Sequence, residues 1–270
     1  MHSEKFCPHP ALREYISAYV LSDYGCGDKT TCIYPAGSAI LCFSLDSPFT
    51  FREISSGRII QFSRFNFIPQ FKQARFYEVI AGPTKVLHVI FEPYGAYRLL
   101  GIPQNCPFDK HGISLIDMLV SRATPLLNQI EDAAYNIDLI IQMLNEWLKT
   151  QLAKNEKIDV SRVGYACKLI EASKGTLPIE QLTQNLRVSK RVLEYQFQEQ
   201  VGLSPKLFSR ITRFNALFTI VKSSGDTDWQ EVLFKYNYFD QAHLIREFKY
   251  FSGSAPSRLP ATRPILSLDL

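Results

Sequence analysis

The 270-residue sequence lacks the signatures of the common enzyme classes. It contains no Gly-x-Ser-x-Gly, no P-loop and no dinucleotide-binding fingerprint. His88 falls in a predicted strand without a second histidine two positions on, so a metal-binding histidine pair is not indicated. We therefore predict no catalytic residue, no metal ligand and no cofactor, and we do not expect an enzyme.

The sequence also lacks paired cysteines, a secretion signal and a membrane-spanning run. Its six cysteines form no Cys-x-x-Cys pair and no zinc-type cluster with histidine, which favours reduced thiols in the cytoplasm. Cys26 and Cys32 are candidate redox sensors, but only the single Lys29 lies near them and the sequence around them is not strongly cationic, so this role is not favoured. The N-terminus has no apolar segment of signal-peptide length, and no stretch approaches the length of a membrane span. These absences predict a cytoplasmic protein without a membrane partner.

Length and charge indicate two parts with different tasks. A chain of 270 residues that is 46% hydrophobic can bury a large core, and its length suggests two domains. Residues 1–156 carry 14 basic and 15 acidic side chains, whereas residues 157–270 carry 16 and 11. The basic excess therefore lies in the C-terminal part, as expected of a half that binds phosphates. An ordinary solvated surface is the alternative explanation of the excess alone.

The first hundred residues are predicted to be rich in β-strands. Short apolar or alternating runs are separated by turn residues, a pattern typical of a sandwich or a barrel. The predicted strands are Thr31–Tyr34, Ala39–Leu45, Phe49–Ile54, Arg58–Phe62, Phe65–Phe71, Arg75–Ile80 and Lys85–Phe91. A short amphipathic helix is predicted before them, over Leu12–Val20. The many aromatic residues of this part either pack on one another or line an apolar ligand pocket.

Helical spacing begins near residue 115 and includes a long apolar stripe over Ile137–Leu152. The stripe either packs inside its own domain or forms a dimer seam. The polar run Lys154–Lys157 is the predicted hinge to the C-terminal half. We therefore divide the chain into a β-rich domain (1–110), a helical segment and linker (111–156), a C-terminal helical domain (157–260) and a tail (261–270).

The C-terminal part contains two copies of a helix-turn-helix unit. Four residues recur 51 positions later: Leu193, Phe197, Gly202 and Pro205 return as Leu244, Phe248, Gly253 and Pro256. An echo at a fixed spacing suggests duplicated supersecondary units. In each copy a good N-cap residue, Ser189 or Asp240, starts the second helix, and a glycine follows its end. A helix from Pro205 to Lys222 joins the copies and is about 27 Å long. It would set two exposed helices roughly one turn of B-DNA apart.

These motifs resemble the AraC/XylS family of transcription regulators. The resemblance rests on Ser189–Phe197, the Gly202-x-Ser-Pro205 block, the run Tyr238–Lys249 and Gly253-Ser-Ala-Pro256. The N-terminal half more weakly resembles the sensor-like domain of one AraC-type branch, through Tyr34-Pro-Ala-Gly37, the Lys85–Phe91 strand and the stretch from Phe91 to Tyr97. The resemblance implies an α+β multidomain fold. A cupin-like barrel or sandwich with following helices would precede an all-α domain with two helix-turn-helix motifs.

The sequence departs from the family pattern at four positions. Thr183 and Leu233 replace the small residue usual in the first helix of each unit, and Arg187 and Asn237 replace the turn glycine. Asparagine tolerates a left-handed backbone better than arginine does. These departures keep open a helix-turn-helix protein that has lost ordinary DNA affinity and acts through protein partners. A barrel enzyme with an appended regulatory domain is the second alternative.

The predicted function is sequence-specific regulation of transcription through two successive major-groove segments, modulated by the N-terminal domain. The predicted base-reading residues are Arg191, Tyr195, Gln241, Ala242 and Arg246. The predicted phosphate-holding residues are Ser189, Lys190, Lys206, Asp240 and Lys249. Double-stranded DNA is the predicted partner. The architecture further implies a small-molecule effector in the N-terminal domain, a homodimer, and contact with RNA polymerase if the protein is an activator.

Overall fold

Short antiparallel strands build the N-terminal part of the chain. The computed structural model describes residues 2–24, 30–83, 85–106, 112–119, 122–133, 135–222 and 228–259. The strands are β1 (His2–Phe6), β2 (Ile16–Asp23), β3 (Thr30–Ile33), β4 (Ile40–Ser44), β5 (Thr50–Glu53), β6 (Ile59–Gln61), β7 (Phe65–Ile68), β8 (Arg75–Ala81), β9 (Lys85–Phe91) and β10 (Ile113–Ser114). Seven of them coincide within a few residues with the predicted strands.

The strands form two sheets that face each other as a sandwich. One sheet has the order β1-β2-β9-β4-β7-β10 and the other the order β3-β8-β5-β6. No ladder joins the two sheets in the described strands, so the sandwich alternative is confirmed and the closed barrel is wrong. Aromatic rings fill the space beside β5, where Phe51 lies 4.7 Å from Phe49 and 5.3 Å from Tyr77 between ring centroids. In this part of the sandwich the aromatic side chains pack against one another.

The helix predicted over Leu12–Val20 is wrong. A single 3-10 turn covers Pro10–Leu12, and the chain then enters β2. This strand pairs with β1 on one side and β9 on the other, and Ile16, Ala18, Tyr19 and Val20 are all buried. A strand with apolar residues on both faces loses the alternation of a half-buried strand, and its apolar spacing resembles that of a helix.

Four helices follow the sandwich in the described residues. They are α1 (Gly95–Leu100), α2 (Leu115–Leu119), α3 (Thr124–Asp132) and α4 (Ile137–Lys154). Helix α4 carries the predicted apolar stripe, and its Ile140, Leu144 and Leu148 are fully buried in one core with strand residues such as Leu87 and Phe91. The stripe therefore packs within the chain, as the first alternative predicts, and does not form a dimer seam through these residues.

The remaining helices are α5 (Ser161–Ala172), α6 (Ile179–Leu186), α7 (Lys190–Val201), α8 (Pro205–Lys222), α9 (Trp229–Lys235) and α10 (Gln241–Ser252). The observed bounds of α7 and α8 match the predicted ones. The predicted tail, 261–270, lies outside the described residues. Within the described part of the chain, no helix is long and apolar enough to cross a membrane.

The sandwich and the C-terminal helices share an apolar core. Tyr34, which follows β3, and Tyr94, which precedes α1, are buried in the same cluster as Phe214 and Phe218 of α8. The side-chain amide of Asn215 on α8 also donates to the carbonyl of Ala36, at 3.2 Å. Contacts therefore tie the helix between the two helix-turn-helix units directly to the sandwich.

Candidate nucleic-acid interface

Helix α7 begins and ends where the sequence predicts. The N–H of Val192 donates to the hydroxyl of the N-cap residue Ser189, at 3.3 Å. Leu193, Phe197 and Val201 are fully buried on the inner face. The helix ends at Gly202, whose φ of 81° is a left-handed conformation that favours glycine. One face of α7 is thereby fixed inward and the other left in solvent.

Helix α10 repeats this construction in the second unit. The N–H of His243 donates to the carboxylate of the N-cap residue Asp240, at 2.6 Å. Leu244, Phe248 and Phe251 are buried, and Gly253 follows the end of the helix with a φ of 79°. The duplicated sequence thus produces two second helices with the same cap, the same inward face and the same left-handed end.

The four departures from the family pattern are accommodated in the backbone. Arg187 and Asn237, which stand where the family has glycine, adopt left-handed conformations with φ of 52° and 55°. For arginine this conformation costs about 1–2 kcal/mol. The hydroxyl of Thr183 donates to the Glu180 carbonyl at 2.8 Å, and Leu233 packs partly buried against the core. The turn between the helices of each unit is therefore retained.

All the residues predicted to read bases lie exposed on the outer faces of these two helices. They are Arg191 and Tyr195 on α7, and Gln241, Ala242 and Arg246 on α10. Arg191 and Tyr195 are four positions apart and therefore share one face. Neither Arg191 nor Arg246 forms an ion pair with a described residue, so both guanidinium groups are available to a ligand.

The structure brings two of the predicted phosphate contacts together. Lys190 at the start of α7 and Lys206 at the start of α8 line one cleft of about 660 Å³, which also reaches Arg213 and His243. Lys249 is exposed on α10 but does not line this cleft. The Ser189 and Asp240 side chains cap the helices, so a phosphate there would meet the free N–H groups of the first helical turn.

An arginine that no sequence motif singles out holds helix α10 in place. Arg210 on α8 forms a bidentate ion pair with Glu247 on α10, with N–O distances of 2.9 and 2.7 Å. The hydrogen bonds that Arg210 donates to this carboxylate raise the pKa of Arg210. The guanidinium also lies over the ring of Tyr250, 4.9 Å from its centroid. The pair fixes α10 against α8, and no local sequence signal announces it because the partners are 37 residues apart.

The N-terminal part of the chain supplies a hydrogen-bond donor to the last turn of each exposed helix. The N–H of Gln104, after α1, donates to the carbonyl of Glu199 in the last turn of α7, at 2.7 Å. The N–H of Ala74, before β8, donates to the carbonyl of Phe251 in the last turn of α10, at 2.9 Å. The final carbonyls of a helix have no partner within it, so these two bonds satisfy groups that each helix end leaves open. We call them the two helix-end contacts.

The buried histidine and thiols of the sandwich have structural roles. His88 bonds through Nε2 to the Tyr24 hydroxyl, at 3.2 Å, and through Nδ1 to the thiol of Cys42, at 3.3 Å. Burial lowers the pKa of His88 to about 3, and it raises the pKa of Cys32 and of Cys42 to about 12. Both thiols are therefore protonated at neutral pH, which argues against Cys32 as a redox sensor. Cys26 lies outside the described residues.

The chain thus combines a β sandwich with a double helix-turn-helix region. No family model matches the sequence, and no curated protein matches it either. Among solved structures it is similar to ToxT from Vibrio cholerae, with 11% identity and a TM-score of 0.48 over 88% of this chain and 96% of that chain. A structure of ToxT with a bound unsaturated fatty acid gives 12% identity and a TM-score of 0.45 over 88% and 92%.

The chain is also similar to the AraC-like transcriptional activator CuxR. Identity is 12% and the TM-score 0.26, over 85% of this chain and 91% of that chain.

Proposed function

We propose that the protein is a sequence-specific, double-stranded-DNA-binding regulator of transcription of the AraC/XylS type that acts in the cytoplasm. The single observation that carries the proposal is the pair of capped, outward-facing helices α7 and α10, each bearing an arginine without an ion-pair partner in the described residues. Helix α8 joins their units, and its 18 residues span about 27 Å. This span is comparable to one turn of B-DNA, so both helices would enter successive segments of the major groove.

Base reading is assigned by side-chain chemistry. Arg191 and Arg246 would each pair with the two acceptors on the major-groove edge of guanine, and Gln241 with adenine. Tyr195, which is 65% exposed, and Ala242 complete the reading surface. The cleft that holds Lys190 and Lys206 lies between the two units, where the DNA backbone between the two groove segments would pass. Lys249 would add a phosphate contact from α10. At Ser189 and Asp240, the N–H groups of the first turn of each helix would contact phosphates.

The N-terminal part, residues 1–110, would modulate DNA binding through the helix-end contacts. Gln104 and Ala74 bond to the ends of α7 and α10, so a change in the position of either loop would move a reading helix. An effector bound to the sandwich would act only if it bound two arrangements of these loops with different affinity. A coupling of about 1–3 kcal/mol is the usual scale of such an effect.

Further partners follow from the same proposal. A homodimer would need a surface other than the apolar stripe of α4, because Ile140, Leu144 and Leu148 of that stripe are fully buried in the chain. Contact with RNA polymerase is proposed for the case that the protein activates transcription. Residues 111–156 would then serve as support for the sandwich and as the connection to the DNA-binding part, 157–260.

Selection of bound fragments from a DNA library tests the proposal. The full-length protein is expected to enrich a common sequence, and Arg246→Ala is expected to weaken binding to it by about 1–3 kcal/mol and to relax the preference at one base pair. Arg58→Ala is the matched control, because Arg58 is an exposed arginine of the sandwich, far from α10 in the sequence. Failure to enrich any sequence would contradict the proposal. An equal loss on every sequence would reassign Arg246 to a phosphate contact.

A further inference from the structure

The side chain of Phe239 lies in solvent directly before helix α10, the second of the two helices proposed to read bases. Its side chain is 92% exposed, although it directly precedes the N-cap residue Asp240. An apolar residue at this position commonly packs on the residue four places after the cap, here Leu244. Leu244 is only 1% exposed and is buried in the core instead. Phe239 thus forgoes the stabilisation that burial of such a ring contributes.

The surrounding residues hold the Phe239 ring outward. The preceding residue, Tyr238, takes the inward place: it is 7% exposed, lies 5.4 Å from the His243 ring and packs under the guanidinium of Arg213. The N–H of Phe239 points to Nδ1 of His243, at 3.5 Å. The backbone around Phe239 is therefore anchored on both sides, and its ring is the part left free.

The first helix-turn-helix unit differs at the corresponding position. Val188, which lies 51 residues earlier, is partly buried and packs against the C-terminal core. The repeat therefore does not by itself require an exposed aromatic ring at this place. The ring is a property of the second unit alone, and a reason for it is best sought in what that unit binds.

We infer that Phe239 contacts the 5-methyl group of a thymine in the major groove and so contributes to sequence preference. The inference rests on the proposed function. The first residues of a reading helix are those that meet base edges, and Phe239 adjoins Gln241 and Ala242 at that end of α10. The thymine methyl is the apolar group that the major groove presents, and an aromatic ring is a suitable partner for it. Burial of both groups would recover the stabilisation that the free protein forgoes.

The test uses the full-length protein and its selected site. Each thymine near the α10 half-site is replaced in turn by deoxyuridine, which lacks only the methyl group. We expect one replacement to weaken wild-type binding about fourfold, the effect of one buried group of this size. Phe239→Ala should bind the thymine site about as weakly as the wild type binds the uridine site, and should no longer distinguish the two. Phe239→Leu, which keeps an apolar side chain, should retain part of the discrimination.

Phe234→Ala is the matched control. Phe234 is 91% exposed in the same unit but belongs to α9, the first helix, so its removal should leave the thymine-to-uridine ratio unchanged. The inference is overturned if Phe239→Ala keeps the wild-type ratio, if it weakens both DNAs equally, or if Phe234→Ala abolishes the ratio as well. A wild-type protein that selects no site at all would instead remove the proposed function itself.

Discussion

The ring of Tyr34 in the N-terminal sandwich lies 4.6 Å, between centroids, from the ring of Phe218 on the helix that joins the two helix-turn-helix units. Tyr34 is 4% exposed and Phe218 is fully buried. An aromatic residue of the sandwich is therefore part of the core of the helix-turn-helix half. Stability of the two halves should be coupled through this contact.

Replacing Tyr34 by alanine tests that coupling. Removal of a buried aromatic ring costs about 3–5 kcal/mol. We expect the free energy of unfolding in urea to fall by this amount. The fluorescence signals of Trp147, which packs on the core shared with the strands, and of Trp229, which packs on the C-terminal core, should change in one transition. Tyr34→Phe keeps the ring and should cost far less. A loss below about 1 kcal/mol for Tyr34→Ala would show that the contact contributes little.

Gly202 tests the first helix-end contact. A methyl group at Gly202 would lie 2.9 Å from the backbone carbonyl of Gln104, which cannot rotate away. Gly57 is the matched control, because it has a similar left-handed φ of 68° but no atom within 4 Å of the added carbon. Gly57→Ala should therefore cost only the backbone term of about 1–2 kcal/mol. Gly202→Ala should lower the free energy of unfolding further; equal costs would deny the tight contact with Gln104.

His88 should make the protein sensitive to acid. Its pKa is about 3 in the folded chain, against an ordinary value of 6.5. The unfolded chain therefore takes up a proton as the pH falls below 6.5 while the folded chain does not. The contribution of neutral His88 to the free energy of unfolding is therefore present above pH 6.5. It is lost as the pH falls from 6.5 to 3, at about 1.4 kcal/mol for each pH unit.

Urea unfolding at pH 6.5 and pH 5 measures this effect. The wild type should lose about 2 kcal/mol more than His88→Gln between these pH values. Glu171, whose pKa burial raises to about 7, works in the opposite sense, so the comparison with the variant isolates the histidine. His9→Gln, at an exposed histidine, should behave like the wild type. Identical pH profiles for the wild type and His88→Gln would contradict the assignment.

The lysines of the cleft should control the salt dependence of DNA binding. Each phosphate contact contributes about one counterion to the slope of log affinity against log salt. Lys190→Ala and Lys206→Ala are each expected to reduce the slope by about one, with little change in sequence preference. Lys85→Ala, at an exposed lysine of the sandwich, should leave the slope unchanged. Unaltered slopes in both cleft variants would exclude phosphate contacts at these lysines.

The sequence predicted those features that local signals determine. Ser189, Asp240, Gly202 and Gly253 mark helix ends through their own side chains or backbone freedom, so the bounds of α7 and α10 followed from them. The sequence of β2 resembles that of a helix because neighbouring strands cover it on both sides and buried residues lie on both of its faces, so its apolar residues do not alternate. The exposed faces of α7 and α10 were likewise predictable from helical spacing.

The helix-end contacts could not be predicted from the sequence. Ala74 and Phe251 are 177 residues apart, and their bond joins backbone atoms that every residue type other than proline carries. The same holds for Gln104 and Glu199. The packing of Tyr34 on Phe218 could not be predicted from the sequence either, because an apolar residue indicates burial but not which residues it contacts.

Methylation interference on the selected DNA site tests the central claim most directly. Methylation of guanine N7 blocks the major-groove atom with which Arg191 and Arg246 would pair. We expect interfering guanines in two clusters about 10 base pairs apart, one for each reading helix. Arg246→Ala should erase the interference in one cluster and leave the other. Interference confined to a single cluster, or none in the major groove, would contradict reading by both helices.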